Sequence, residues 1–132
     1  MLLACSGHWA MQNPPPHESE WQAIEDAQAR AHAALLAFNK YYSRCEEMLS
    51  KVYRDASEVE ALGPIMQGFD DYFNSIADKL ALDLANGESK NQLKSVARHL
   101  VRFSTWQSLS QENLSEEEIA EIGLKWLMRL VG

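Results

Sequence analysis

Residues 26–56 read DAQARAHAALLAFNKYYSRCEEMLSKVYRDA, a run with neither glycine nor proline. Apolar side chains recur at Ala31, Ala34, Leu35, Phe38, Tyr41, Tyr42, Cys45, Met48, Leu49 and Val52. The steps between them are mostly three and four, which puts them on one face of an α-helix. At 1.5 Å per residue the span would reach about 45 Å, so a kink or break near Ser43–Glu46 is expected. A helix of this length needs other helices to cover its stripe, and it sets the fold class as all-α.

The downstream sequence supplies those helices. After Gly63-Pro64, where proline suits a first turn, Ile65, Met66, Phe69, Tyr72, Phe73, Ile76, Leu80 and Leu84 form a second stripe. Asn86-Gly87 is a natural stop for it. A third long helix is expected over 90–110, with Leu93, Val96, Leu100 and Phe103 on one side and His99, Trp106 and Leu109 widening the face. The last helix has the clearest start, because Ser115 with Glu118 makes a capping box and Glu116 and Glu117 favour the positive end of its dipole. Its apolar residues Ile119, Ile122, Leu124, Trp126, Leu127, Leu130 and Val131 cover more than one face, which calls for a partner surface. No strand alternation competes, so four or five main helices are expected in one domain spanning 1–132. Within it, 1–13 reads as the end of a connecting helix, 14–25 as a linker begun by Pro14-Pro15-Pro16, and 26–132 as the helical core. Trp21 in the linker is expected to plug that core.

Composition narrows the function. Hydrophobic residues make up 46% and charged residues 23%, as in an ordinary globular protein, and no run approaches a membrane span. The net charge of −7, with scattered Lys and Arg, argues against this chain gripping nucleic acid itself. Two distant cysteines, Cys5 and Cys45, fit a reducing, cytoplasmic compartment. Leu2-Leu3-Ala4-Cys5 looks like a lipoprotein cleavage box, but a signal peptide needs an apolar segment of about 7–15 residues, and only Leu2, Leu3 and Ala4 stand between Met1 and Cys5.

Catalytic patterns are missing. There is no GxSxG, HExxH or glycine-rich phosphate loop. Cys5 and His8 have helical spacing without a third ligand, and the paired acids Glu46-Glu47 and Asp70-Asp71 lack the Glu-x-x-His of di-metal bundles. Neither a metal nor a cofactor is expected, and the chain does not read as an enzyme. What stands out instead is a collection of aromatic, methionine and polar-tipped residues on the first three helices. Such a set lines cavities for apolar ligands between helices.

Arg98-His99-Leu100-Val101-Arg102-Phe103-Ser104-Thr105-Trp106-Gln107-Ser108-Leu109, followed by Asn113-Leu114-Ser115-Glu116-Glu117-Glu118, resembles the end of a TetR-type transcriptional regulator. Asn113 stands where that family usually has glycine, and Asn also tolerates left-handed geometry. The likeness runs back through Val52-Tyr53-Arg54-Asp55, Glu47-Met48-Leu49 and Tyr41-Tyr42-Ser43-Arg44. It reaches Trp21, Pro14-Pro15-Pro16 and Ala4-Cys5-Ser6-Gly7-His8-Trp9, the last resembling the helix that leaves a DNA-reading headpiece.

The resemblance implies an effector-binding and dimerisation domain whose last two helices form a four-helix bundle with a second copy. It implies a small, largely apolar ligand that resets two helix-turn-helix units, and operator DNA contacted by a headpiece absent from this chain. Pocket lining is expected from Phe38, Tyr42, Cys45, Met66, Phe69, Tyr72, His99, Phe103 and Trp106, with His99 and Tyr72 as polar contacts. The dimer face is expected at Val96, Val101, Leu109, Ile119, Ile122, Trp126 and Leu130. A free-standing helical adaptor, and a small helical enzyme or metal carrier, are the alternative readings.

Overall fold

A computed structural model of the chain describes residues 11–85 and 90–131. The expectations for residues 1–10 and for Asn86-Gly87 lie outside them. The described residues form helices and turns with no strand, in the order α1 (Ala27–Ala56), α2 (Leu62–Leu84), α3 (Lys90–Leu100), α4 (Phe103–Ser110) and α5 (Glu116–Val131). A short 3-10 turn, Glu18–Glu20, precedes α1. The chain is all-α, as its periodicity predicts.

Helix α1 is the spine. Asp26 caps it, its carboxylate accepting the Ala29 N–H at 2.8 Å. The helix then runs 30 residues without the expected break near Ser43–Glu46. The reason lies in its neighbours. Buried positions continue through the doubtful region, from Ala34, Leu35 and Phe38 past Tyr41 and Tyr42 to Cys45, Leu49 and Val52. Helices α2, α4 and α5 all pack on it, and no residue inside it breaks the ladder.

Helix α2 starts at Leu62, two residues before Pro64, so the proline falls among the first-turn positions whose N–H groups lack helical partners. The expected third helix over 90–110 divides instead into α3 and α4. Arg102 takes an extended backbone (φ −81°, ψ 142°) at the join. Side chains stand in for the interrupted ladder there. Thr105 Oγ1 donates to the His99 carbonyl at 2.6 Å, and the buried Tyr42 hydroxyl donates to the Val101 carbonyl. The bend lets Val101, Phe103 and Trp106 all enter the core.

The α4–α5 turn follows its sequence closely. Asn113 has a left-handed φ of 61°, and Ser115 and Glu118 exchange both capping-box hydrogen bonds at 3.1 Å. Helix α5 then lies close against α1 and α3. A Cβ on Gly123 would stand 3.3 Å from Leu35 Cδ1 and 3.4 Å from Leu100, and Leu127 is fully buried one turn later.

The linker is tied down along its length. Trp21 is buried with its ring 6.3 Å from that of Phe38, which makes it the expected plug. Tyr72 donates to the Pro16 carbonyl at 2.9 Å, Lys79 pairs with Glu18, and Arg30 reaches Ile24, Glu25 and Asp83.

Candidate functional site

Six of the nine residues expected to line a pocket, Phe38, Tyr42, Cys45, Met66, Phe103 and Trp106, are buried in the protomer. The aromatic rings among them pack on one another instead of around a void. Phe38 meets Phe73 edge-on at 5.2 Å, and Tyr42 meets Phe103 at 5.5 Å. Phe69 and Tyr72 are half-buried, and the Tyr72 hydroxyl is spent on the linker. His99 is exposed on the outer side of α3. The inner side of that helix is Leu93, Ala97 and Leu100, and at about 100° per residue His99 points away from Ala97.

Phe69 and Tyr72 line an open apolar groove of about 340 Å³ with Pro15, Ile65 and Gly68, and a further cavity lies toward the α3–α4 join. It measures about 550 Å³ and is walled by α1 (Ser50, Tyr53), α2 (Gln67, Asp70, Phe73, Asn74), the join (Val101, Arg102) and α4 (Phe103, Ser104, Gln107). Of the expected pocket residues only Phe103 reaches it. Its character differs from the expected apolar pocket as well, because seven of the lining side chains are polar. Tyr53 and Phe103 stack in parallel at 5.5 Å and form the apolar wall. Gln107 donates to Ser50 at 3.1 Å and Gln67 to Asp71 at 2.9 Å, so these amides are already engaged.

Burial pushes the Asp70 carboxyl above its usual range, and neighbouring Asp71 adds to that while the Arg102 guanidinium opposes it. Tyr53 is pushed up to about 12 by burial and by the charge of Asp70. Burial likewise raises the Cys45 thiol, which keeps it protonated rather than nucleophilic.

A sequence signal for this cavity did exist. Gln67, Asp70 and Asn74 follow helical spacing down one side of α2, as Ser50 and Tyr53 do on α1 and Ser104 and Gln107 on α4. Polar residues at these spacings flank each apolar stripe, and they read as solvated faces until the helices are assembled.

A second feature lies on the outer side of α3 and α5. Val96, Trp126 and Leu130, all expected at a dimer face, come together with Ser95, His99 and Arg129 around a groove of about 440 Å³. Trp126 is 44% exposed there. Ile122 and Leu109 are half-buried. Val101 and Ile119 are not on that face. Both are buried within the protomer, Val101 against the cavity and the Tyr42 hydroxyl, Ile119 in the core.

Among the described residues no three His, Cys, Asp or Glu side chains converge to hold a metal ion, and no helix is long and apolar enough to cross a membrane. Trp106 Nε1–H is buried without a hydrogen-bond partner among the described residues. Compared with protein-family models, curated proteins and solved structures, the chain matches none.

Proposed function

We propose that the chain is the ligand-sensing and homodimerising domain of a TetR-like transcriptional repressor, with DNA contacted by a headpiece outside this sequence. The observation that carries the reading is the continuity between the two features on α3 and α4. The cavity is lined by Val101, Arg102 and Phe103 at the join, and the outer groove is lined by Val96 and His99 on the helix leading into it. A ligand seated on one end of this unit acts on the other. It shifts the dimer geometry by its differential affinity for two arrangements of the α3–α4 join. The left-handed Asn113 and the Ser115 capping box, at the places where the resemblance calls for them, support the same assignment.

Sedimentation equilibrium of the purified chain tests the dimer. Trp126→Asp places a charge in the apolar groove, and the expected result is a folded monomer by circular dichroism where the parent is a dimer. A parent chain that is monomeric at tens of micromolar, the usual range of such runs, would overturn the reading in favour of an adaptor awaiting a different protein.

A further inference from the structure

Within the cavity five polar side chains, those of Asp70, Arg102, Asn74, Ser104 and Tyr53, make no hydrogen bond to another described residue, and the first three supply the charges and the amide. Asp70 on the α2 wall and Arg102 on the α3–α4 wall make no side-chain hydrogen bond and no ion pair, with each other or with any other described residue. The side-chain amide of Asn74, one turn beyond Asp70 on the same helix, is also without a partner. Gln67 and Gln107, by contrast, already donate to protein acceptors. The site therefore offers a carboxylate and a guanidinium that attract each other without closing an ion pair, and an amide, beside the stacked pair Tyr53 and Phe103.

A simple organic cation would satisfy Asp70 and be repelled by Arg102. A simple carboxylate would do the reverse. In either case the ligand's charge meets a like charge on one wall of the cavity, which weakens its binding. A ligand carrying both an ammonium and a carboxylate pairs with both walls and enters with no net charge. An amide between its charged ends meets the side-chain amide of Asn74, which both donates and accepts. A planar or apolar side group then covers the Tyr53–Phe103 wall. The volume of about 550 Å³ falls within the usual range of small-molecule sites and exceeds what a single small amino acid fills.

We infer that the cavity between α1, α2 and the α3–α4 join binds a zwitterionic, amide-containing ligand of dipeptide size with an aromatic side group. This names the effector class for the sensor reading above and rests on it. The ammonium lies at Asp70, the carboxylate forms a bidentate pair with Arg102, and the central amide bonds to Asn74.

Calorimetric titration of the full chain with the dipeptide phenylalanyl-leucine, its N-acetyl derivative and its C-terminal amide tests the assignment. The parent dipeptide is expected to bind, and each derivative, having lost one charge, to bind at least about tenfold more weakly. Asp70→Asn is expected to erase the preference for the free amine, and Arg102→Gln the preference for the free carboxylate. Both residues are exposed, so the variants should keep the parent's circular dichroism and oligomeric state.

Absence of dipeptide binding would overturn the inference. Equal binding of all three compounds would do the same, as would preferences that survive both substitutions. A derivative binding better than the dipeptide would replace the zwitterion by a plain cation or anion. The oligomer measurement keeps the two readings separate. A dimer that ignores the dipeptide refutes the ligand class alone, and a monomer that binds it refutes the dimeric sensor alone.

Discussion

Tyr42→Phe isolates the contact that holds the α3–α4 join. The Tyr42 ring is 1% exposed and touches Phe38, Phe73, Phe103 and Trp106, and phenylalanine preserves those contacts. What it removes is the hydroxyl that donates to the Val101 carbonyl, at a residue also only 1% exposed. The carbonyl lies where the backbone leaves the helical ladder, so no neighbouring amide takes over. Leaving such a group dry and unpaired costs about 1–3 kcal/mol. For a domain of this size each kcal/mol lowers Tm by roughly 3–5 °C, so the expected fall is about 3–15 °C.

The assay is urea unfolding followed by tryptophan fluorescence, where the midpoint should drop without a change in slope. Tyr41→Phe is the matched control. Tyr41 is equally buried and adjacent, yet its hydroxyl makes no hydrogen bond with a described residue, so its removal should cost less than about 0.5 kcal/mol. Similar losses in the two variants, or a Tyr42→Phe protein within about 0.5 kcal/mol of the parent, would refute the claim that this hydrogen bond holds the join.

Gly123→Leu should destabilise by about 1–3 kcal/mol or more in the same assay, because its Cβ alone already stands 3.3 Å from Leu35 and the remainder must push α5 off α1 and α3. Gly123→Ala should sit near neutral, with a gain of up to about 1 kcal/mol in helix propensity offset by the tight contact. Stability should also fall in alkali. The folded pKa values of Tyr41, Tyr42 and Tyr53 are all raised above 10, chiefly by burial. Their contribution is therefore complete below pH 10 and is lost as pH climbs toward the folded values, about 12 for Tyr53. Unfolding free energies from urea curves should begin to fall above about pH 8.5, where the Cys45 thiol ionises on unfolding, and drop more steeply above about pH 10, by about 1.4 kcal/mol per pH unit for each tyrosine that ionises on unfolding. A midpoint unchanged at pH 11 would contradict the burial of all three.

How much of this was legible from sequence differs element by element. Positions close in the chain were readable. Ser115 and Glu118 are three apart and sit on one turn, so their pattern fixes their geometry wherever the helix packs. The stripe from Ala31 to Val52 is legible for the same reason, since a helix of known period carries it to one side. The division of 90–110 was not legible. Nothing in Leu100-Val101-Arg102-Phe103 forbids a continuous helix. The break depends on a carbonyl accepting from Tyr42, a residue 59 positions away. The candidate site suffers likewise. Aromatic residues expected around a ligand are spent on each other, and polar residues that read as solvent faces enclose the cavity.

The sequence by itself determined the helical class, the caps, the left-handed turn at Asn113, the plug at Trp21 and the apolar surplus on the last helix. All but the plug follow from backbone preferences and hydrophobic period over a few turns, interactions that do not depend on the rest of the chain, and the plug follows from the cost of leaving a large apolar ring in water. Only the tertiary structure decided that α1 stays unbroken, that α3 and α4 part at Arg102, that Val101 and Ile119 face inward while His99 faces out, and where the cavity lies. Those outcomes turn on which faces of distant helices meet, and periodicity carries no information about the rotation of one helix against another.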